Sequence, residues 1–177
     1  MRGRTWVICL LMGLALTTPA VAQTAGGRWE ARSPQYYSIP QTAWVRTEVL
    51  SPDSTSQQVG AAITTLLRQH GFEQGPGGSY AMRLEMHGRG LTTPSAPIPG
   101  YSNATSRLSI WSTQAQDNAV YVSLLLYHQS TGQVFWQGEA MCVGLPADPR
   151  DIVNAMVGPL MGHLGRSGDA ALGCRPL

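Results

Sequence analysis

Four histidines are the side chains best suited to bind a transition metal in this chain, because neutral imidazole is a common ligand of zinc and copper. These are His70, His87, His128 and His163. None of them has a second metal-binding residue at a spacing typical of metal sites. His70 and His163 end two predicted helices, where the helix dipole favours a cation. His87 and His128 fall on predicted strands, and with Glu85 they would make a three-ligand site only if the sheet brought them together. We predict no metal site and no cofactor.

Catalytic patterns are also missing from the sequence. There is no G-x-S-x-G motif for a nucleophilic serine, and lysine is absent altogether, which excludes a phosphate-loop lysine and a Schiff-base nucleophile. The ten acidic residues form many pairs, but none stands in a recognisable glycosidase setting. We therefore predict no catalytic residues and no enzymatic activity.

The start of the chain resembles an export signal. Met1 to Arg4 is cationic, Thr5 to Leu16 is mostly apolar, and Ala20-Val21-Ala22 matches the small-x-small pattern that signal peptidase cuts. About 12 apolar residues span only about 18 Å as a helix, too short for an uncleaved anchor. We expect residues 1–22 to be a cleaved signal peptide and the protein to be periplasmic. Because no cysteine follows the cleavage site, acylation is not predicted.

Charge excludes two classes of partner for the exported chain. Two of the 12 arginines lie in the signal, which leaves ten against ten acids. A neutral protein without a cationic cluster has no obvious means of binding nucleic acid or an anionic membrane. After cleavage we expect no transmembrane span.

Two cysteines, Cys142 and Cys174, remain after cleavage, since Cys9 is in the signal. An even number in an oxidising compartment indicates one structural disulfide. Free thiols are the alternative, and a redox-active pair is disfavoured because such pairs are usually close in sequence.

Hydrophobic periodicity predicts strand, helix and strand in the first half of the exported chain. Residues 23–41 are predicted as an extended lead-in without an assigned element, and 42–50 as a strand. A helix follows, which Asp53, Ser54 or Thr55 caps and Gly71 ends. Its apolar face carries Val59, Ile63, Leu66, Leu67 and His70. Alternation from Tyr80 to His87 predicts the second strand.

The stretch from Gly88 to Tyr101 is rich in glycine and proline and has no apolar period. Long loops of this kind commonly bind something or are disordered. We predict a binding loop here, with Arg89, Leu91, Ile98 and Tyr101 as candidate contacts.

Three further strands and a second helix are predicted after this loop. A third strand begins at Leu108, and a tight turn at Asp117-Asn118 leads into a fourth over 119–128, whose two apolar faces predict a central position. Residues 133–143 form the fifth strand, completing a three-stranded antiparallel meander. Asp148-Pro149 begins the second helix, and Pro159 should kink it.

These elements predict one α+β domain over residues 42–177. The expected fold is a mixed, mostly antiparallel sheet of about five strands with two helices, in the order β-α-β-long loop-β-β-β-α.

The predicted order, together with three motifs, resembles a family of bacterial cell-envelope domains of unknown function, many of them lipoproteins. Residues 122–140 are similar to its strand, T-G turn (Thr131-Gly132) and V-x-W-x-G-x-A strand from Val134 to Ala140. Gly71-Phe72 is similar to the G-F stop of its helix. His128 departs from the acidic residue usual in the turn, and no lipid-bearing cysteine follows the signal. The resemblance implies neither enzyme activity nor catalytic residues.

The sequence thus favours a non-enzymatic periplasmic binding or assembly module, acting on an envelope protein or a small ligand. The alternative is a small-ligand carrier or enzyme that uses the 88–101 loop as a lid. The sequence leaves the oligomeric state open.

Overall fold

The computed structural model describes residues 26–33, 38, 43–75, 77–88, 91–92 and 118–174. Within them the fold is α+β, a mixed and mostly antiparallel sheet with helices on one face. In chain order the elements are β1 (Gly26–Arg32), β2 (Trp44–Val49), α1 (Ser54–Gln69), β3 (Glu73–Gln74), β4 (Tyr80–Gly88), β5 (Leu91–Thr92), β6 (Ala119–His128), β7 (Val134–Val143), α2 (Pro149–Ile152), a π-helical stretch (Val153–Val157), α3 (Gly158–Met161) and β8 (Gly168–Gly173).

Seven strands lie side by side in the order β3-β2-β4-β6-β7-β1-β8, and the short β5 also pairs with β4. Only β2 makes parallel pairs, with β3 and β4. The prediction of about five strands is therefore wrong. Sequence reasoning missed β3, β1 within residues 23–41, the short β5 within the predicted 88–101 loop, and β8 near the end of the chain.

The structure places β1 inside the sheet, between β7 and β8. Its signal was present in the sequence, because Trp29 and Ala31 are buried and alternate with Arg28, Glu30 and Arg32. The glycines at its start obscured that alternation. Strand β8 gave no such signal, since glycine, alanine and aspartate are all depleted in strands.

Helix α1 confirms the predicted capping. The Asp53 carboxylate accepts hydrogen bonds from the backbone N–H and the hydroxyl of Ser56, at 2.7 and 2.6 Å. At the other end Gly71 has φ of +88°, and the N–H of Phe72 donates to the carbonyl of Leu67 at 3.1 Å. This is the left-handed glycine stop, which leaves Phe72 buried against the core.

The second helix begins as predicted, with the Asp148 carboxylate accepting from the N–H of Arg150 at 2.9 Å. At Pro159 the chain does not keep regular α-helical bonding. The preceding residues form the π-helical stretch, in which Gly158 N–H bonds to the carbonyl of Val153. The wider turn lies directly before the residue whose ring would clash with a regular helix.

The main core lies between the helices and one face of the sheet. It joins α1 and the second helix to β4, β6 and β7, and its largest fully buried side chains are Trp136, Ile63, Leu67, Met82, Leu84, Met86, Leu124, Leu126, Ile152, Met156, Leu160 and Met161. Strand β6 is flanked by β4 and β7 and buried on both faces, which confirms its predicted central position.

Two predicted features lie outside the described residues, the third strand beginning at Leu108 and the signal peptide. In the described part of the chain, no helix combines the length and apolar character needed to span a membrane.

Candidate functional site

Of the four candidate contact residues in the predicted binding loop, the structure describes one, Leu91. Leu91 forms part of β5 and is buried in the main core, so its side chain does not face a ligand. Arg89, Ile98 and Tyr101 lie outside the described residues. The binding role of the loop stays a prediction.

The predicted disulfide is confirmed. Cys142 and Cys174 are bonded, with Cα atoms 5.4 Å apart, and both are fully buried. Cys142 lies in β7 and Cys174 directly follows β8, so the bond ties together two strands that are not neighbours.

The strand crossed by this bond is β1, and the crossing point is Gly27. Gly27 pairs with Cys142 on one side and with Leu172 of β8 on the other. A Cβ atom at Gly27 would lie 2.2 Å from the Cys174 Sγ and 2.2 Å from the Met141 carbonyl oxygen. Only glycine leaves room for the disulfide to pass over β1.

The disulfide fixes an exposed edge. Strand β8 pairs with β1 on one side only, and no described strand pairs with its other side. Asp169, Ala170 and Ala171 at its centre are exposed. Natural edge strands usually carry lysine, proline or a bulge that blocks further pairing. Strand β8 contains neither lysine nor proline, and its one charged residue is Asp169.

The face of the sheet opposite the helices carries charged side chains in cross-strand rows. We call this face the polar face. One row is almost entirely acidic and follows the strand register from β4 through β6, β7 and β1 to β8, as Glu85, Ser123, Glu139, Glu30 and Asp169. Like charges directly opposite each other repel, so this row needs cations nearby.

Arg83 supplies one such cation in the next row. Its Nε donates to Glu48 Oε2 at 2.9 Å, and the Tyr127 hydroxyl donates to the same oxygen at 2.7 Å. Burial alone would raise the pKa of Glu48, but these hydrogen bonds and the arginine charge outweigh it, and the pKa lies below its ordinary value. The trio links β2, β4 and β6 and keeps Glu48 ionised.

Two titratable groups near one end of β4 lack comparable compensation. Burial raises the pKa of Glu85. The charge of Arg83 lowers this pKa, whereas the carboxylates of Glu139 and Glu48 raise it further, and the net shift is upward. Burial also lowers the pKa of His87. Both pKa shifts therefore act against the charged form of the group, relative to the same group in water.

The histidines do not assemble into a metal site. His128 pairs with Tyr80 at the start of β4, whereas His87 lies seven residues further along that strand, about 23 Å away at the rise of a strand. His163 packs on Trp29, with ring centroids 4.3 Å apart. The described residues contain no cluster of three metal-binding side chains.

Two charged residues beside the edge have no charged partner. Arg28 in β1 and Asp169 in β8 form no ion pair among the described residues, whereas Arg32 binds Glu30 at 2.7 Å. Arg28 and Asp169 line an open pocket of about 510 Å³ next to β8. A second open pocket of about 500 Å³ lies between residues 118–120 and 144–147, and none of the described residues that line it is ionisable.

Comparison with known proteins shows likeness of fold alone. No family model and no curated protein matches the chain significantly. Among solved structures, the PelC dodecamer from Paraburkholderia phytofirmans is 10% identical, with a TM-score of 0.48 over 79% of this chain and 98% of that one. A PDZ domain protein from Parabacteroides distasonis is 10% identical, with a TM-score of 0.53 over 84% of this chain, which spans 39% of that protein.

Proposed function

We propose that this chain is a non-enzymatic binding or assembly module of the bacterial cell envelope, working in the periplasm, and that it binds a partner strand along the free edge of β8. The predicted signal sequence indicates export, and a disulfide such as Cys142–Cys174 forms and persists in an oxidising compartment.

The covalently fixed, unprotected edge carries the proposal. Among the described strands β8 has one neighbour, and its composition has little strand preference, so packing alone holds it weakly. The disulfide nevertheless anchors its end across β1. A rigid edge with free backbone donors and acceptors is the surface to which an extended partner segment adds as a further strand.

Site-specific photo-crosslinking in living cells tests this function. A photoreactive amino acid at Ala171, on the exposed edge, should give a discrete crosslinked product in periplasmic extract. The matched control is the same amino acid at Gln58, which is exposed on α1 and far from β8. Equal labelling at the two positions, or no product at Ala171, would contradict the proposed binding edge.

A further inference from the structure

We infer that the partner strand at β8 is β8 of a second copy of this chain. The two strands pair antiparallel, with Ala170 facing its own copy across a two-fold axis. This inference rests on the proposed function and names the partner of the same edge. Pairing of the two edges would join two seven-stranded sheets into one continuous sheet.

Symmetry limits how two such edges can meet. In an antiparallel pair related by a two-fold axis normal to the sheet, facing residues point to the same side, and the axis passes midway between one residue and its own copy. The centre of β8 allows Ala170 or Ala171 to take that position. Either register places only small side chains at the axis.

Charge complementarity selects Ala170. In that register Ala171 of one copy faces Asp169 of the other, and Ala171 also pairs with Arg28 within its own copy. Arg28 and the second copy's Asp169 then share one row of the polar face, separated only by an alanine. Two strand spacings make about 10 Å between their Cα atoms, which a guanidinium on its long side chain can bridge.

The two-fold axis makes this contact twice, and it gives a charged partner to two groups that form no ion pair with another described residue of their own chain. It also brings a cation to the acidic row, where Asp169 lies opposite Glu30. In the alternative register, about Ala171, the two copies of Arg28 would share one row and Asp169 would face Gly173. That register gives neither charge a partner of opposite sign from the second copy.

Sedimentation equilibrium of the purified, oxidised protein gives the first test. We expect a monomer–dimer equilibrium that weakens with salt, since exposed charges are screened. Arg28→Gln removes both ion pairs and should raise the dissociation constant about 3- to 30-fold, from the usual strength of surface pairs. Arg150→Gln, which removes an exposed arginine on α2, should leave the constant unchanged.

Disulfide trapping tests the register. Facing copies of Ala170 would have Cα atoms about 5 Å apart, within reach of a disulfide, whereas copies of Ala171 would be about 8 Å apart. Under mild oxidation Ala170→Cys should therefore form a covalent dimer, and Ala171→Cys should not. The melting temperature of each variant shows that it is folded. Dimer from Ala171→Cys alone, or equal dimer from both variants and from Gln58→Cys, would overturn the inference.

The two experiments separate this inference from the proposed function. A purified protein that stays monomeric, with an edge crosslink in cells to a different protein, would overturn the homodimer and leave the binding edge intact. A monomer with no edge crosslink in cells would overturn both. A crosslinked product of twice the chain mass, together with trapping at Ala170→Cys, supports both.

Discussion

Reduction of the Cys142–Cys174 bond should lower the free energy of unfolding by about 3 to 4 kcal/mol. The cysteines are 32 residues apart. In the chain-entropy relation a closed loop of about that length restricts the unfolded chain by this amount. For a domain of this size each kcal/mol shifts the melting temperature by about 2 to 4 °C, so the midpoint should fall by about 6 to 16 °C.

Calorimetry of the exported form, with and without a phosphine reductant, measures this difference. The Cys142→Ala/Cys174→Ala variant is the control, and its midpoint should not respond to the reductant. In the reduced protein, hydrogen exchange should accelerate in β8 before β6, because the described strands flank β8 on one side and β6 on both. A loss of less than about 1 kcal/mol, or equal acceleration in β6 and β8, would refute the view that the bond fixes the edge.

Three further changes test other parts of the structure. Gly27→Ala should destabilise the oxidised protein by about 1 to 3 kcal/mol, since its methyl group would collide with the Cys174 Sγ and a backbone oxygen. An unchanged denaturant midpoint would contradict the passage of the disulfide over β1 at Gly27. Leu124→Ala, in the fully buried centre of β6, should cost about 2 to 4 kcal/mol, and a loss below about 1 kcal/mol would show that the strand is not central. Burial lowers the pKa of His87 in the folded state, so the unfolded chain takes up a proton at this residue before the folded protein does. The wild-type protein should therefore lose stability as the pH falls from about 7.5 to about 5.5. The His87→Asn variant should lose less stability over that range, and equal losses in the two proteins would disprove this role of His87.

Local patterns allowed prediction of the elements that carry their own signals. Asp53 and Gly71 bound α1 because capping chemistry acts within one turn. The two apolar faces of β6 predicted its central position. The disulfide followed from the count of cysteines outside the predicted signal peptide, without knowledge of which strand it crosses.

Non-local register determined what the sequence did not reveal. Strand β8 is a strand because β1 and the disulfide hold it, not because of its residues. The acidic row containing Glu30 and Glu139 exists only when five strands align, and those two residues are more than 100 positions apart in the chain. Arg28 and Asp169, which form no ion pair among the described residues, could not be identified before the neighbours of each strand were known.

Hydrogen exchange at the amides of β8, measured at several protein concentrations, is the most direct test of a partner strand at this edge. In the oxidised protein every second amide should be protected at all concentrations, because those groups bond to β1. The intervening amides point outward, and their protection should rise with protein concentration as the edges of two copies pair. Exchange of the outward amides that stays fast and independent of concentration would contradict the account.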